Sequence, residues 1–232
     1  MSTETRRMLV VAPHPDDEVL GAGGTIARFT AAGGTVKIVT VAAHMPPLYP
    51  EGVHERTVRE ARAAHAVLGV AESVFLDYPA VCISDTPVHV FNGAVHKEIA
   101  SFQPHVVLTP YPDRHIDHRQ VFEAIMVATR PVGAGRGISL VAAYETLSET
   151  HWNAPHIEAN FIPTWTVDIT DHVDQKLRAM ACYESQVHPF PQPRSVEALR
   201  ALALFRGSQA GFGFGEAHHV IRMTTPPEGL LG

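Results

Sequence analysis

One imidazole and three carboxylates lie within five residues near the start of the chain, directly after an apolar run. They are His14, Asp16, Asp17 and Glu18. Three acids this close together repel one another unless a cation or several hydrogen bonds offset the repulsion. Such a group can bind a divalent metal ion and still leave one carboxylate free beside it. The motif therefore indicates a metal-dependent hydrolase.

A second cluster of histidines and acids follows another apolar run, which ends near Thr109. Its members are Asp113, Arg114, His115, Asp117 and His118. If the two apolar runs form adjacent parallel strands, both clusters lie in one crevice at the carboxyl ends of the strands. His14, Asp17 and His118 can then bind a single ion. Two histidines, one carboxylate and a water form a coordination set typical of catalytic zinc sites, which keep one position open.

Asp16 is placed by the same spacing beside the ion, without being one of its ligands. Because zinc lowers the pKa of a bound water to about 7, a neighbouring carboxylate can accept its proton at neutral pH. We therefore interpret Asp16 as a general base. His115, hydrogen-bonded to Asp117, is expected to act as an imidazolium that stabilises the oxyanion or protonates the leaving amine.

Each cluster also has a purely structural interpretation. The acids at positions 16–18 can cap the next helix and complement its dipole, and His115 and His118 can form a polar helix face. The metal site is favoured because both clusters follow predicted strands. Three nearby glycines resemble a dinucleotide-binding loop, but the acids occupy the turn where a pyrophosphate would need neutral amides.

The elements that must position these residues alternate between strand and helix. Apolar and β-branched runs predict strands at residues 8–12, 36–42, 74–76, 106–109, 140–144 and 165–169. Helical spacing predicts helices at residues 25–32, 56–68, 88–102, 118–129 and 171–183, and another helix after Ser195. This alternation predicts an α/β fold, a three-layer α/β/α sandwich with a mostly parallel sheet.

Composition narrows the class of protein. A chain of 232 residues with 45% hydrophobic residues can bury one large core, so we expect a single domain over residues 1–232, with a loose tail from about 224. The net charge of −6 gives no broad basic surface for nucleic acid or an anionic membrane, which favours a small-molecule substrate. Cys82 and Cys182 are expected to be reduced thiols, and no segment has the length of a membrane span or signal sequence. A cytoplasmic location is therefore expected.

The two clusters resemble the signatures of the PIG-L/LmbE-like zinc-dependent de-N-acetylases. That family carries Ala-His-Pro-Asp-Asp-Glu after a strand and a later His-x-Asp-His; residues 13–18 of this chain read Pro-His-Pro-Asp-Asp-Glu and residues 115–118 read His-Ile-Asp-His. The resemblance implies a Rossmann-like fold and the hydrolysis of an acetamide, commonly on an N-acetylglucosaminyl group. It also implies the same site residues as the spacing, with Zn²⁺ as the ion; Fe²⁺ is the alternative, because a site of two histidines and one aspartate accepts either metal. A homo-oligomer is expected only by analogy with such folds.

Substrate contacts are less clearly marked. Where many sugar-specific members of the family carry an acid, this chain has Ala80, so either Asp77 compensates from a shifted position or the acceptor is not a typical glucosamine. Arg56 or Arg59 falls near a substrate-contacting arginine of the family.

Two further side chains are candidate substrate contacts, each with a structural alternative. Arg114 can bind an anionic substituent or pair with Asp113. Trp152 can form a wall for a sugar ring or fill the core.

Three functions remain open from the sequence. The leading hypothesis is removal of an acetyl or short acyl group from an amino sugar or an amino-sugar-containing metabolite. The first alternative is an amidase that acts on a non-sugar N-acyl small molecule, such as a natural-product intermediate. The second is a catalytically inactive, metal-stabilised binding protein.

Overall fold

The computed structural model describes residues 5–154 and 156–225, so the predicted tail beyond Thr225 lies outside the described residues. The strands are β1 (Arg7–Ala12), β2 (Thr35–Ala43), β3 (Glu72–Pro79), β4 (Val106–Pro110), β5 (Leu140–Tyr144), β6 (Trp165–Asp168) and β7 (Gly215–Met223). The helices are α1 (Asp17–Ala31), α2 (Val53–Leu68), α3 (Val88–Phe102), α4 (Ile116–Ala128), α5 (Val173–Ala181) and α6 (Val196–Ser208). No helix in the described ranges combines the length and apolar character needed to cross a bilayer.

The strands form one sheet in the order β3-β2-β1-β4-β5-β7-β6. The first five are parallel, and β7 runs antiparallel to both β5 and β6. The predicted mostly parallel α/β sandwich is therefore confirmed. β1 lies between β2 and β4, so the strands that follow β1 in sequence are added first on one side of it and then on the other. This reversal of strand order opens a crevice at the carboxyl ends of β1 and β4.

Hydrophobic packing covers both faces of the sheet. Alternate residues of β1 point to opposite sides, since Met8 and Val10 belong to one buried cluster and Leu9 and Val11 to the other. The first cluster packs against α1, α2, α5 and α6, and the second against α3 and α4. A strand buried on both faces reads as a continuous apolar run, which is why β1 and β4 were predictable from sequence.

The start of α1 was predicted wrongly. The glycines near its N-terminus suggested a loop and a helix from residue 25, but the helix begins at Asp17. These glycines are required by close packing: a Cβ on Gly21 would lie 2.1 Å from Tyr144 Cδ2, and one on Gly24 would lie 2.7 Å from Ile169 Cδ1. The helix can therefore approach β5 and the segment after β6, and its first turn carries the acidic motif into the crevice.

A buried ion pair fixes the other side of α1. Lys176 Nζ lies 2.6 Å from Glu216 Oε1 and donates to the backbone oxygen of Leu20 at 2.8 Å. Glu216 also accepts the N–H groups of Gly24 and Thr25, at 2.8 and 2.6 Å. The pair thus joins α1, α5 and β7. Lys176 Nζ and both carboxylate oxygens of Glu216 are buried, and each has a polar partner.

Replacing Lys176 with Met is expected to lower the free energy of unfolding by about 3 to 5 kcal/mol, because it leaves the carboxylate of Glu216 buried without its counter-charge. Denaturant titration would measure this loss. Lys97→Met, which removes an exposed lysine on α3, is the matched control and should change stability by less than about 0.5 kcal/mol. Equal effects of the two substitutions would contradict this role of the buried pair.

Candidate active site

The two histidine and acid clusters meet in the crevice at the ends of β1 and β4. The first follows β1 in a tight turn, in which Asp16 has φ 112° and ψ −28° and its backbone oxygen accepts the first helical hydrogen bonds of α1. The second occupies the loop after β4 and the first turn of α4. The ring centroids of His14 and His118 are 5.6 Å apart. Loops distant in sequence thus present their side chains to the same space.

Three histidines and one carboxylate converge there. One ring nitrogen from each of His14, His115 and His118 lies within 4.8 Å of the others. Asp17 Oδ2 lies 3.1 Å from His14 Nδ1 and 3.3 Å from His118 Nε2. The site therefore contains the predicted set of His14, Asp17 and His118, and also brings His115 within ligand distance, where the sequence had placed only an assisting group.

The charges in this cluster favour a cation. Burial alone would lower the pKa of His14, but its hydrogen bonds to Asp117 and Asp17 overcome this and raise the pKa to about 9. Burial likewise opposes a rise at His118, but the charge of Asp17 and the hydrogen bond to Asp113 raise its pKa to about 10. Buried carboxylates thus hold positive charge on these imidazoles, and a metal ion can replace that charge.

The donor atoms fit a divalent metal ion. His118 Nε2 is buried and has no hydrogen-bond partner among the described residues, although its other ring nitrogen is bonded. Asp17 Oδ2 faces this nitrogen. An imidazole that is oriented through one nitrogen and free at the other is the usual state of a metal-binding histidine. Imidazole and carboxylate donors together suit zinc or ferrous iron.

Asp113 orients His118, and the sequence interpretation missed this role. Its Oδ2 lies 3.0 Å from His118 Nδ1 and accepts a hydrogen bond from Thr150 Oγ1 at 2.9 Å, while its Oδ1 accepts the backbone N–H of His115 at 3.0 Å. A carboxylate behind a metal-binding histidine fixes its tautomer and ring orientation. The available signal was the position of Asp113 next to the second motif, but the sequence interpretation considered Asp113 only as a possible partner of Arg114.

Asp16 is the free acid of the site. Its side chain is 1% exposed, and neither carboxylate oxygen has a hydrogen-bond partner in the described part of the chain. Burial raises the pKa of Asp16 to about 8, with Asp17 and Glu18 adding to the rise and Arg194, whose Nε lies 3.4 Å away, opposing it. A carboxyl group with this pKa can take up and release a proton near neutral pH.

The predicted pairing of His115 with the Asp117 side chain is wrong. Asp117 Oδ2 instead lies 3.0 Å from His14 Nε2 and accepts the N–H of Val81 at 2.7 Å. His115 is the N-cap of α4, and its Nδ1 accepts the backbone N–H of Asp117 at 3.2 Å. Burial and the charges of His14 and His118 lower the pKa of His115 to about 4, so the ring is neutral and not the expected imidazolium.

The third acid of the first motif has a structural role. Glu18 Oε1 accepts the Tyr183 hydroxyl at 2.5 Å and lies 3.3 Å from His65 Nε2, while Oε2 accepts the backbone N–H of Asp16 at 3.3 Å. Glu18 therefore holds the turn that presents Asp16.

A cavity of about 380 Å³ opens onto the cluster. Arg56 lines it, with its Nε 3.0 Å from Glu60 Oε1, whereas Arg59 is exposed and does not belong to the wall. Asp77 and Ala80 are also absent from this wall among the described residues. Asp77 has φ 58° and its carboxylate lies 3.3 Å from His54, away from this wall, so of the two alternatives for Ala80 the structure does not support compensation by Asp77.

Other wall residues were not anticipated as site residues from the sequence. They are His44, Tyr49, Glu149, Ser185, Gln186 and Arg194. Arg194 comes from the segment before α6 and also hydrogen-bonds Gln186 Oε1 at 3.0 Å. Nothing in sequence spacing connects this segment to the first motif, so only the fold reveals it.

The two remaining candidates, Arg114 and Trp152, lie just outside this wall. Arg114 pairs with Glu149 and not with Asp113. Trp152 is 58% exposed, so it does not fill the core. The Arg114 guanidinium carbon lies 6.0 Å from the centroid of the Trp152 ring, which keeps the two side chains together.

Comparison with known proteins places these features in a family. The chain is 30% identical to the diacetylchitobiose deacetylase of Thermococcus kodakarensis over 92% of this chain and 82% of that protein. It is 26% identical to a 1D-myo-inositol 2-acetamido-2-deoxy-alpha-D-glucopyranoside deacetylase of Mycobacterium sp. (strain JLS), over 88% and 82%. The structure of the conserved protein TT1542 from Thermus thermophilus superposes with a TM-score of 0.76 and 26% identity, covering 95% of this chain and 97% of that one.

The family model described as PIG-L, GlcNAc-PI de-N-acetylase, matches residues 9–129. This match spans both histidine and acid clusters and the strands that carry them. The chain therefore belongs to the PIG-L family, as the resemblance of its two motifs implied.

Proposed function

We propose that this protein is a zinc-dependent hydrolase that removes the acetyl group from the nitrogen of an N-acetylated amino sugar. The observation that carries the proposal is the position of Asp16, a buried carboxyl beside His14, Asp17 and His118 whose two oxygens accept no hydrogen bond from the described residues. Relatives that cover most of the chain are named as deacetylases of N-acetylated sugars. A small polyhydroxylated substrate also suits the polar cavity above the cluster.

The proposed mechanism assigns His14, Asp17 and His118 as the residues that would hold the zinc ion. When bound, the ion supplies Lewis acidity, which polarises the amide carbonyl and makes water easier to deprotonate. Asp16 accepts the proton of the attacking water and returns a proton to the departing amine. Arg194, whose Nε lies 3.4 Å from Asp16 Oδ2, restrains the Asp16 carboxylate.

His115 is proposed to stabilise the negative charge that develops on the carbonyl oxygen. The backbone N–H of Asp117 occupies its Nδ1, so the ring carries its proton on Nε2 and can donate a hydrogen bond from there. This fixed donor costs no reorganisation during the reaction. Asp117 supports the site differently, through its contact with His14.

We also propose a single-domain organisation, a cytoplasmic location, a small-molecule substrate and the identity of the metal ion. One continuous sheet supports a single domain over residues 1–232. Cys82 and Cys182 are both free, which is compatible with a reducing cytoplasm. The substrate is proposed to be a small molecule. Zn²⁺ is proposed as the ion because the resemblance of the two motifs implies it, and Fe²⁺ is the alternative because two imidazoles and one carboxylate suit either metal.

Acetate release tests the function directly. Protein reconstituted with Zn²⁺ or with Fe²⁺ is incubated with N-acetylglucosamine, N,N′-diacetylchitobiose, N-acetylglucosaminyl-inositol and, as non-sugar amides, N-acetyl amino acids. We expect acetate from at least one sugar and at least about tenfold lower kcat/KM for the non-sugar amides. Acetate from non-sugar amides alone would instead support the amidase. Sugar binding without acetate release under either metal would support the inactive binding protein.

A further inference from the structure

Three side chains continue from the cavity wall to the protein surface in a connected row. They are Glu149, Arg114 and Trp152. We propose that this row is an outer subsite for the second ring of a two-ring substrate. That ring is a polyhydroxylated six-membered ring, a pyranose or a cyclitol, attached to the N-acetylated sugar. The inference rests on the proposed function, since it extends the same substrate away from the reacting amide.

Glu149 supplies a free acceptor at the inner end of the row. It lines the cavity, and its side chain is only 12% exposed. Its Oε2 binds Nη1 of Arg114, while no hydrogen bond from the described residues reaches its Oε1. Because Glu149 lines the cavity, its carboxylate can accept a strong hydrogen bond from a ligand hydroxyl.

Trp152 supplies an apolar surface at the outer end. Tryptophan is usually well buried, but this side chain is 58% exposed on a short loop beside a polar cavity. The C–H face of a six-membered sugar or cyclitol ring can pack on an indole face, while its hydroxyls bond to neighbouring charged groups. Arg114, half exposed and in contact with both Glu149 and the indole, offers the donors that such hydroxyls require.

The row is held at a fixed position relative to the metal cluster. The Thr150 hydroxyl donates to Asp113 Oδ2 at 2.9 Å and accepts the N–H of Thr146 at 2.8 Å. Asp113 is the carboxylate that orients His118. Asp113 thus anchors both the loop that carries Trp152 and the ring of His118. A ring bound on Trp152 therefore positions the rest of the substrate relative to the metal cluster.

Kinetics with substrates of different length test the subsite. Methyl N-acetylglucosaminide has one ring, diacetylchitobiose adds a pyranose, and N-acetylglucosaminyl-inositol adds a cyclitol. We expect Trp152→Ala to lower kcat/KM for the two-ring substrates by about tenfold, the loss of one good stacking contact, and to leave the one-ring substrate within about twofold. Trp152→Phe should restore most of the loss. Phe205→Ala, which removes another exposed aromatic ring on α6, should change neither.

The kinetic outcomes separate the two ring types from failure of the inference. A loss confined to diacetylchitobiose assigns the subsite to a pyranose, and a loss confined to the inositol conjugate assigns it to a cyclitol. Equal losses for one-ring and two-ring substrates, or no loss for any of them, would overturn the subsite while leaving the deacetylase activity intact.

Tryptophan fluorescence detects ligand binding at the subsite without requiring catalysis. The chain has two tryptophans, so Trp165→Phe leaves Trp152 as the only indole. In this background, with Asp16→Asn to prevent turnover, the two-ring compounds should change the emission and methyl N-acetylglucosaminide should not. Unchanged emission with every compound would refute the subsite. If no sugar releases acetate, the proposed function fails, and the emission change still decides whether the subsite exists.

Discussion

Replacing Asp16 with Asn is expected to lower kcat by about 10³-fold, within the usual 10²- to 10⁴-fold range for a general base. Asn has almost the same shape as Asp, but its amide cannot accept a proton from water. Neither oxygen of Asp16 is hydrogen-bonded to any residue that the structure describes, and Asp16 lines the cavity, so the substitution breaks no hydrogen bond within that part of the chain. The measurement is steady-state acetate release from the best sugar substrate of the zinc-loaded protein.

Two controls separate the loss of the general base from a change in structure or in zinc content. Asp171→Asn changes an exposed aspartate in the same way and should leave kcat within about twofold, since surface substitutions rarely alter structure. Zinc content of the Asp16→Asn protein should equal that of the unchanged protein. A loss of less than tenfold, with zinc retained, would mean that Asp16 is not the base.

In chelator-treated protein, the Asp16→Asn substitution is expected to change stability by an amount that depends on pH. The pKa of Asp16 is raised from 3.8 to about 8, chiefly by burial, so folding takes up a proton on this group between these two values. Its contribution to stability is therefore present below pH 4 and is lost as pH rises toward 8. Asn never ionises, so the melting temperature of the variant relative to the unchanged protein should increase over that window. The loss of activity then cannot be attributed to unfolding.

The placement of the two clusters could be predicted because it depends on strand packing. β1 and β4 are buried on both faces and are readable as apolar runs, and residues after adjacent parallel strands must share a crevice. Met8 indeed lies opposite Val106 in the sheet. β7 was missed because its first half carries Glu216, His218 and His219, polar residues that obscure a strand pattern, although the first two are buried in the structure.

Details within the site could not be predicted from spacing. The orientation of Asp117 is decided by the N-terminus of α4, where its backbone N–H donates to the N-cap residue His115 and its side chain turns to His14 and Val81. The approach of Arg194 to Asp16 depends on how the segment before α6 crosses the crevice. Side-chain direction and contacts between distant segments are set by tertiary packing, which a motif does not encode.

Removing His118 is expected to abolish most zinc binding, and a series of variants identifies the ligand set. His118→Ala removes a buried ring nitrogen that makes no hydrogen bond to the described residues and faces Asp17, so zinc affinity should fall by more than about 100-fold. Asp113→Ala only releases the orientation of that ring and should cost about 10- to 100-fold. His96→Ala, on the exposed side of α3, is the control and should retain full zinc content.

Asp17 and His115 compete for the third ligand position, and the same titration decides between them. We expect Asp17→Asn to lose zinc nearly as strongly as His118→Ala, because its carboxylate lies within 3.3 Å of ring nitrogens of both His14 and His118 and supplies negative charge to the ion. His115→Ala should keep its zinc and lose activity, since its proposed task is a hydrogen bond to the substrate. The opposite pattern would assign the ion to His14, His115 and His118.

The zinc affinity of the unchanged protein should also rise with pH in the same titration. Zinc must displace the protons that carboxylates hold on His14 and His118, whose pKa values are about 9 and 10.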